Sequence, residues 1–451
     1  DVKNPQNCPN CLLLAGQNGA SRALYNAFHE QFMPRISFAY RLNPQMVIRG
    51  GYAITDDFEG MGAAQRLTEN PPYLPAYSYS STQPSAASGG TPIKVSQGFS
   101  VGGTSLGAST KYNAWDPNIK PELIQQYNLT LQTLMGSLFT FQIGYVGNVA
   151  QHLVVPEPFN QQTIPGATHT ATQPFKGLVG VGGQVFLTLA EGYSNYNAMQ
   201  IQLRQRQFHG LEYTFNYTWS KNMTNNPGYF GTGGVDGPGT YPQNIYDPHG
   251  DYGAAAFDTR NAVNFVGVYA IPFGHGRDYG SHVNRFVDWA IGGWKVSTEA
   301  VLYSGFPITI GSTNNSASNN GGGARANQYT KLIIKNRSLA NWFGTDPSAT
   351  PCSGAFNGAC AYGGELPSSF GTAHVGTERA PGYRVVDTSL FKQFRTYKEQ
   401  YIQFRVDAFN VGNIASYSAP SATATTLSTF GQITSTLSPA RQLQMSLKYE
   451  F

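Results

Sequence analysis

The ten residues LEYTFNYTWS, positions 211 to 220, alternate without exception between large apolar and polar side chains. A period of two puts successive side chains on opposite faces of an extended chain, so this stretch predicts a β-strand with one apolar and one polar face. The last ten residues, QLQMSLKYEF at 442 to 451, show the same alternation. One kind of strand is therefore expected along much of the chain.

Nine further stretches share this alternation and bring the number of predicted strands to eleven. They lie at 36–42, 46–55, 126–132, 139–145, 199–206, 261–272, 294–304, 384–394 and 402–408. Most are about ten residues long, whereas the strands of soluble proteins most often have about five or six residues. A strand that spans an outer membrane needs about 9 to 11. Strand length therefore favours membrane-spanning strands.

The predicted connections alternate between short turns and long loops rich in Gly, Ser, Asn and Pro. The turns lie at 43–45, 136–137, 209–210 and 396–399, and the loops at about 57–118, 154–193, 222–258, 306–382 and 411–440. The intermediate connection at 274–292 falls among the turns by parity. Short periplasmic turns and long outer loops are typical of outer-membrane barrels, so we predict an all-β, antiparallel transmembrane β-barrel. A large soluble β-sandwich or propeller is the alternative.

The amino-acid composition agrees with strands that have one face in contact with lipid. Charged residues make up 12% of the chain, against about 25% in soluble globular proteins. No stretch approaches the roughly 20 consecutive apolar residues of a membrane-spanning helix. A 13% share of aromatic residues and a net charge of +4 argue against a disordered chain. The basic residues do not cluster, so no nucleic-acid partner is expected.

The two faces of the predicted strands carry different candidate residues. Charged side chains on the polar faces are expected inside the barrel, paired with each other or with a plug: Arg49, Arg204, Arg206, Lys295, Glu299, Asp387 and Arg405. Aromatic side chains near strand ends on the apolar faces are expected at the membrane interfaces: Tyr217, Trp219, Trp294, Tyr449 and Phe451.

Strand parity bears on the domain organisation. If Phe451 ends a strand on the periplasmic side, residues 1–34 form an outer loop and 35–451 the alternating strands, one barrel region without a plug domain. A closed antiparallel barrel needs an even number of strands, and eleven is odd. Either another strand lies within 12–30, or the chain is part of a larger barrel. No signal peptide begins at Asp1, so we expect a mature, truncated or partial product.

The four cysteines form two close pairs, Cys8 with Cys11 in CPNC and Cys352 with Cys360 around SGAFNGA. Local pairs in loops rich in Gly and Pro predict two disulfide clips and an oxidising compartment. The alternative for CPNC is half of a zinc site or a redox motif, although no second Cys or His pair has matching spacing.

Catalytic motifs are absent from the sequence, so we expect neither an enzyme nor a cofactor. The eight histidines lack the spacing of metal ligands, and LVGVGG (178–183) and GTGG (231–234) are loop glycines outside any nucleotide-binding context. Asp247, Asp251 and Asp258 could hold calcium in an outer loop. The alternative is that these residues form turns, with a charge pair between Asp258 and Arg260.

The strand-forming stretches also resemble a known family. They are PRISFAY (34–40), VIRGGYAI (47–54), DPNIKPELIQQYNLTLQ (116–132), GYVGNVAQHL (144–153), YSNYNAMQIQLRQR (193–206), GLEYTFNYTWSKN (210–222), FDTRNAVNFVGVYAIPFG (257–274), GGWKVSTEAVLYSGFPITI (292–310), YRVVDTSLFKQF (383–394), IQFRVDAFNVGN (402–413), FGQIT (430–434) and PARQLQMSLKYEF (439–451). In this order they resemble the C-terminal half of the barrel of Oar-like TonB-dependent outer-membrane proteins, which carry a carboxypeptidase-regulatory-like domain ahead of a plug.

The resemblance implies a place in the bacterial outer membrane and a larger barrel of about 22 strands with a plugged lumen. The implied partners are outer-membrane lipid, the missing N-terminal barrel half, a plug of the same or another chain, and TonB through that plug. The sequence itself contains no TonB box, no plug and no N-terminal β-sandwich.

Two classes of function follow. The first is the barrel portion of a TonB-dependent transporter that takes up a large ligand through its outer loops, whose composition favours a carbohydrate or peptide over a metal chelate. The second is a structural or adhesive outer-membrane scaffold without transport. A small porin is a third possibility and requires an even number of strands.

Overall fold

The computed structural model describes residues 16–17, 19, 21–23, 25–57, 111–166, 172–179, 183–226, 242–313, 324–396 and 400–451. Cys8, Cys11 and most of the predicted loop at 57–118 lie outside these ranges. No helix among the described residues is long and apolar enough to cross a membrane.

Eleven strands form one antiparallel sheet in which each strand pairs with its neighbour along this series. We call these strands the wall. They are β1 (Arg35–Asn43), β2 (Met46–Asp57), β4 (Glu122–Met135), β5 (Phe139–Pro158), β6 (Gln184–Phe208), β7 (Leu211–Thr224), β9 (Asn261–Ala270), β10 (Lys295–Tyr303), β15 (Tyr383–Arg395), β16 (Tyr401–Phe409) and β17 (Gln442–Glu450). The eleven predicted strands are confirmed, as is the antiparallel order.

Smaller elements lie between the wall strands. They are β3 (Lys111–Trp115), β8 (Gly253–Ala254), β11 (Pro307–Ile308), β12 (Asn327–Gln328), β13 (Tyr362–Gly363), β14 (Glu378–Arg379), the helices α1 (Lys176–Val179) and α2 (Arg285–Ile291), and 3-10 turns at Pro248–Asp251 and Pro347–Ala349. β3 pairs in parallel with β6 and β8 pairs with β7, while β11 pairs with β14 and β12 with β13. Alternation of apolar and polar side chains predicted none of these elements.

The wall has an apolar and a polar face. On β17 the apolar face carries Leu443, Met445 and Leu447, which are 64%, 70% and 73% exposed. Cross-strand register keeps apolar side chains together, with Leu447 opposite Phe404 and Met445 opposite Val406. Such a continuous exposed apolar surface needs a non-aqueous neighbour.

Gly147 shows how closely the apolar side chains pack on this face. It lies opposite Tyr127 in the pairing of β4 with β5. A Cβ at Gly147 would overlap the Tyr127 ring. The missing side chain therefore lets the ring lie flat across the strand.

The hairpin of β5 and β6 extends further than the sequence pattern predicts. β5 has 20 residues and β6 has 25, and part of the predicted loop at 154–193 is strand. Register shifts at residues 151–155 interrupt the pairing. Beyond them the hairpin continues and β3 joins it along β6. Only about 9 to 11 residues are needed to cross a bilayer, so the distal part projects past it.

The largest hydrophobic core lies outside the wall. It is built from the described residues of two connections, 304–313 with 324–382 and 410–441. We call these residues together the cap. Its buried members are Ile308, Ile310, Ala326, Leu332, Phe343, Ala349, Ala361, Tyr362, Ala373, Ala380, Ala424 and Phe430. These residues come from two connections that are far apart in sequence, so the cap is a packed body rather than two separate loops.

The first and last wall strands each have one pairing partner in the described structure. β1 pairs with β2 and β17 pairs with β16, and the sheet order has β1 and β17 at its ends. The described residues within 12–30 contain no strand. The alternative of a further strand within 12–30 therefore finds no support in that described part.

Candidate functional site

Two buried glutamines tie three connections together on the long-loop side. The Gln161 side chain donates from Nε2 to the Gln243 carbonyl at 2.8 Å and accepts the Ile245 N–H at 2.9 Å. Gln243 in turn donates from Nε2 to the Gly371 carbonyl at 3.0 Å and accepts the Arg325 N–H at 2.7 Å. Buried amides with satisfied donors and acceptors specify one arrangement of the segments they join.

Two of the calcium candidates are held by arginines instead of sharing a site. Asp251 forms an ion pair with Arg325 and also accepts the Gln243 N–H at 3.0 Å. Burial raises the pKa of Asp251, and the Arg325 guanidinium opposes that rise. In the described ranges no three His, Cys, Asp or Glu side chains are grouped to hold a metal ion.

Asp258 also has a different partner from the one the sequence predicts. Its carboxylate is fully buried, pairs with Arg379 and accepts the Asn222 N–H at 2.6 Å. The predicted pair with Arg260 is wrong, because Arg379 reaches Asp258 from the cap. Asp247 caps the turn at Pro248–Asp251 and accepts the Gly250 N–H at 3.2 Å, as a turn-forming aspartate does.

One of the two predicted disulfide clips is confirmed. Cys352 and Cys360 are bonded, with 5.6 Å between their Cα atoms. Both residues are buried in the cap, and the backbone of Cys352 also forms an isolated β-bridge with Gly363. Cys8 and Cys11 lie outside the described residues.

A cavity of about 650 Å³ opens where the wall meets the cap. Its wall side is formed by the ends of β9, β10 and β15 that are nearest the cap, and its cap side by segments near 337–342 and 415–417. We call it the rim cavity. Its aromatic and cationic lining side chains are Tyr303, Arg337, Trp342, Tyr383, Arg384 and Tyr417.

Ring stacking holds part of the rim cavity in place. Tyr303 stacks on Tyr383 with 4.9 Å between ring centroids. The Arg337 guanidinium lies 4.2 Å from the centre of the Trp342 ring, and Trp342 Nε1 donates to the Arg379 carbonyl at 2.7 Å. Burial lowers the pKa of Arg337, and an arginine stays charged despite such a change.

The second cation of the rim cavity is exposed. The Arg384 backbone is fixed by Ser416, whose hydroxyl accepts the Arg384 N–H at 2.9 Å. Its side chain makes no ion pair within the described residues. Stacked rings suit the faces of sugars or peptide side chains, and guanidinium groups suit carboxylate or phosphate oxygens. Sequence analysis missed this site, although Trp342 within a polar loop was an available signal.

The predicted inward-facing charges lie on the polar face, and some of them are paired. Arg405 Nε donates to Asp407 at 2.7 Å and its NH2 group donates to the Ser389 hydroxyl at 2.9 Å. Arg204 lies 3.6 Å from Glu212 on the adjacent strand. Arg405 and Arg204 are thus ion-paired on the polar face of the wall.

Other members of that set have no ion pair in the described part of the chain. Glu299 lies directly opposite Asp387 in the register of β10 with β15, and Asp387 accepts the Asn410 N–H at 2.7 Å. Two carboxylates in opposed positions repel each other. The remaining cations without an ion pair are Arg49, Arg206 and Lys295.

The predicted interfacial aromatics lie toward both ends of the wall. Tyr217 donates to Asn261 at 2.7 Å near the long-loop side, and Trp219 beyond it is 55% exposed. Tyr449 donates to Gln400 at 2.6 Å, just before β16 begins at Tyr401. Phe451 is 97% exposed and lies next to Tyr449, and Trp294 lies at the start of β10 on the same side.

Comparison with known proteins identifies the family. The model of an outer membrane beta barrel domain matches residues 1–444. No curated protein sequence matches the chain. Among solved structures, the chain is similar to the outer membrane transporter YddB of Escherichia coli, with 10% identity, a TM-score of 0.46, and coverage of 90% of this chain and 38% of that one.

Two further solved structures are similar to a comparable extent. The ferric enterobactin receptor PfeA of Pseudomonas aeruginosa has 10% identity and a TM-score of 0.43, over 92% of this chain and 39% of that one. The siderophore receptor PirA of Acinetobacter baumannii has 11% identity and a TM-score of 0.42, over 93% and 41%. The chain thus spans about two fifths of the length of these structures. From the family match, this chain belongs to the outer membrane beta barrel domain family, and its wall lies in the bacterial outer membrane.

Proposed function

We propose that this chain is part of the barrel of a TonB-dependent transporter or receptor of the Oar-like type, and that it captures a large ligand at the cap. The observation that carries the proposal is the rim cavity, about 650 Å³ in volume, between the packed cap and the outer ends of the wall strands. Porin loops need only leave a channel open, whereas capture needs a shaped surface with fixed polar groups.

The lining of the rim cavity supports a particular ligand chemistry. Tyr303, Tyr383 and Trp342 offer ring faces, and Arg337 and Arg384 offer two guanidinium groups. We infer a carbohydrate or peptide that carries a carboxylate or phosphate group, since the rings favour stacking and the guanidinium groups favour a paired anion.

The polar face of the wall supports the proposed partner inside the barrel. Glu299 and Asp387 face each other on that side, and Lys295 lies on the same face of β10 as Glu299. Charges inside a barrel are stabilised by partners across a contact. A plug domain would supply such partners, and we propose that TonB acts through it. We further propose that the free edges of β1 and β17 pair with the remaining strands of a barrel of about 22.

Binding at the rim cavity can be tested with the purified protein on glycan and peptide arrays. Arg337→Ala and Trp342→Ala should each weaken binding of the retained ligand about tenfold, the loss expected for one charge-assisted or stacked contact. Phe356→Ala is the matched control, because Phe356 is an exposed cap aromatic that is 45% exposed and stacks on Tyr329 outside the cavity. Equal binding by all three variants would contradict capture at this cavity.

Energy coupling separates a transporter from a scaffold or a porin. Uptake of the array-identified ligand in cells should stop when the proton-motive force is collapsed, while surface binding remains. Uptake that continues would indicate a porin. Binding without any uptake, together with loss of surface assembly in a deletion strain, would indicate a structural or adhesive scaffold.

A further inference from the structure

The connection between β9 and β10 lies on the side of the short turns, which is the periplasmic side in outer-membrane barrels, and contains a short helix with exposed aromatic side chains. α2 begins after Asn284, whose side chain accepts the Val287 N–H at 2.9 Å. It ends at Gly292, whose N–H donates to the Asp288 carbonyl. Phe286 is 89% exposed and Trp289 is 65% exposed. A helix that presents two large rings outward needs an apolar or interfacial neighbour.

The helix lies against the apolar face of the wall. Trp289 contacts Phe394 of β15 with 5.0 Å between ring centroids. Trp294 donates from Nε1 to the Ala290 carbonyl at 2.9 Å and meets Phe404 of β16 edge-on at 6.2 Å. Phe404 belongs to the same face as the exposed Leu447 opposite it. The helix therefore continues the surface that faces lipid.

A buried lysine fastens the helix to this face. Lys392 lies opposite Phe404 in the register of β15 with β16, so alternation places it among apolar side chains. It is 5% exposed, and its ammonium group donates to the carbonyls of Trp289 and Asp288 at the end of α2. The ammonium also lies 4.8 Å from the centre of the Phe394 ring.

The chemistry of this contact explains why a charge is tolerated there. A bare ammonium on the lipid-facing side of a barrel is unfavourable. The terminal carbonyls of a helix carry partial negative charge, and those beyond the last intrahelical hydrogen bond need another donor. The Lys392 ammonium group and the carbonyls of α2 thus satisfy each other and hold the helix beside the end of β15.

We propose that α2 is an interfacial anchor, with Phe286 and Trp289 inserted among the lipids of the periplasmic leaflet and Lys392 fixing the helix to the wall. Lipid is the occupant because the helix rests on the apolar face that already contacts lipid and lies at its periplasmic end. Aromatic rings are favoured at that depth, where ring faces meet acyl chains and polar groups meet headgroups.

Fluorescence quenching by brominated lipids tests the anchor. The full chain and a Trp289→Phe variant are reconstituted in phosphatidylethanolamine and phosphatidylglycerol vesicles, and their difference spectrum isolates the emission of Trp289. We expect lipids brominated near the headgroup to quench this emission about twofold more than lipids brominated near the bilayer centre, as for an interfacial ring. The difference spectrum of Trp342→Phe, which reports a cap residue, should be unaffected by either lipid.

A second pair of variants separates anchoring from packing. Phe286→Ser should weaken the quenching of Trp289, since one inserted ring is lost, while Phe356→Ser in the cap should leave it unchanged. If Trp289 is instead quenched by aqueous iodide and not by brominated lipid, α2 lies in water or under a periplasmic protein and the proposal is overturned.

Discussion

The wall and the cap treat apolar side chains in opposite ways. On the wall, Leu447 and Met445 are 73% and 70% exposed, whereas in the cap Phe343 and Ile310 are fully buried. The difference reflects two solvents, because hydrocarbon surrounds the wall and water surrounds the cap. The hydrophobic effect therefore builds a conventional core in the cap and not across the membrane-spanning part of the wall.

The largest expected effect is on the cap core. Phe343→Ala should lower the free energy of unfolding of the cap by about 3–5 kcal/mol, the usual loss for a buried phenylalanine. Phe343 is fully buried and packs on Phe430 with 4.8 Å between ring centroids. Thermal unfolding of the vesicle-embedded protein, followed by Trp342 fluorescence, measures this change. Leu447→Ala on the wall is the control and should leave the transition in place; equal changes in the two variants would break the distinction between cap and wall.

The next largest expected effect is a pH dependence of the free energy of unfolding, which arises in the projecting part of the β5–β6 hairpin. Glu157 lies beyond the membrane-spanning part of β5 and is 3% exposed, and burial together with Glu191 and Asp251 raises its pKa to about 8. The pKa of Glu157 is higher in the folded protein than in the unfolded chain, so protonated Glu157 contributes to the free energy of unfolding. This contribution is complete below about pH 4 and is lost as the pH rises towards 8.

Glu157→Gln removes that titration. Between pH 5 and pH 9 the free energy of unfolding of the parent should fall by on the order of 3 kcal/mol, and that of the variant should not show this fall. Each pH unit between the folded and the unfolded pKa corresponds to about 1.4 kcal/mol. Thermal unfolding measured across this pH range checks the loss. Parallel pH profiles of the parent and the variant would show that Glu157 is solvated in the folded protein.

A smaller effect is expected from the disulfide of the cap. Replacing Cys352 and Cys360 by serine should lower the stability of the cap by about 2 kcal/mol, because the loop that the bond closes is short. The two residues are eight apart in sequence. Unfolding of the parent with and without a reductant gives the same comparison without a mutation. No change in either experiment would show that packing alone holds this segment.

The different surroundings of the wall and the cap also explain which parts of the fold could be predicted from the sequence. Every wall strand was found because lipid and lumen impose alternation on neighbouring residues, as in Tyr213 to Trp219. The pair of Cys352 and Cys360 was found because it is local. The cap was missed because its contacts join distant segments: the Thr313 N–H donates to the Thr425 hydroxyl, 112 residues away.

Predictions for individual residues failed where the deciding contact comes from a distant part of the chain. Asp258 was assigned to nearby Arg260, but its partner Arg379 is 121 residues away. Lys392 was overlooked because a lysine on the apolar face is unexpected until α2 is seen beside it. The extension of β5 and β6 was missed because apolar residues stand at consecutive positions there, as in Val154–Val155 and Val185–Leu187, so the period of two is lost.

A scan of residues 211 to 220 with spin labels tests the central claim most directly, namely that the apolar face of the wall contacts lipid. Each position is changed singly to cysteine in a protein whose Cys8 and Cys11 are serine, labelled, and reconstituted in vesicles. We predict that oxygen dissolved in the bilayer relaxes labels at odd positions such as 213 and 215, and that a water-soluble relaxant acts on even positions. Equal accessibility at neighbouring positions, or the reverse alternation, would contradict the account.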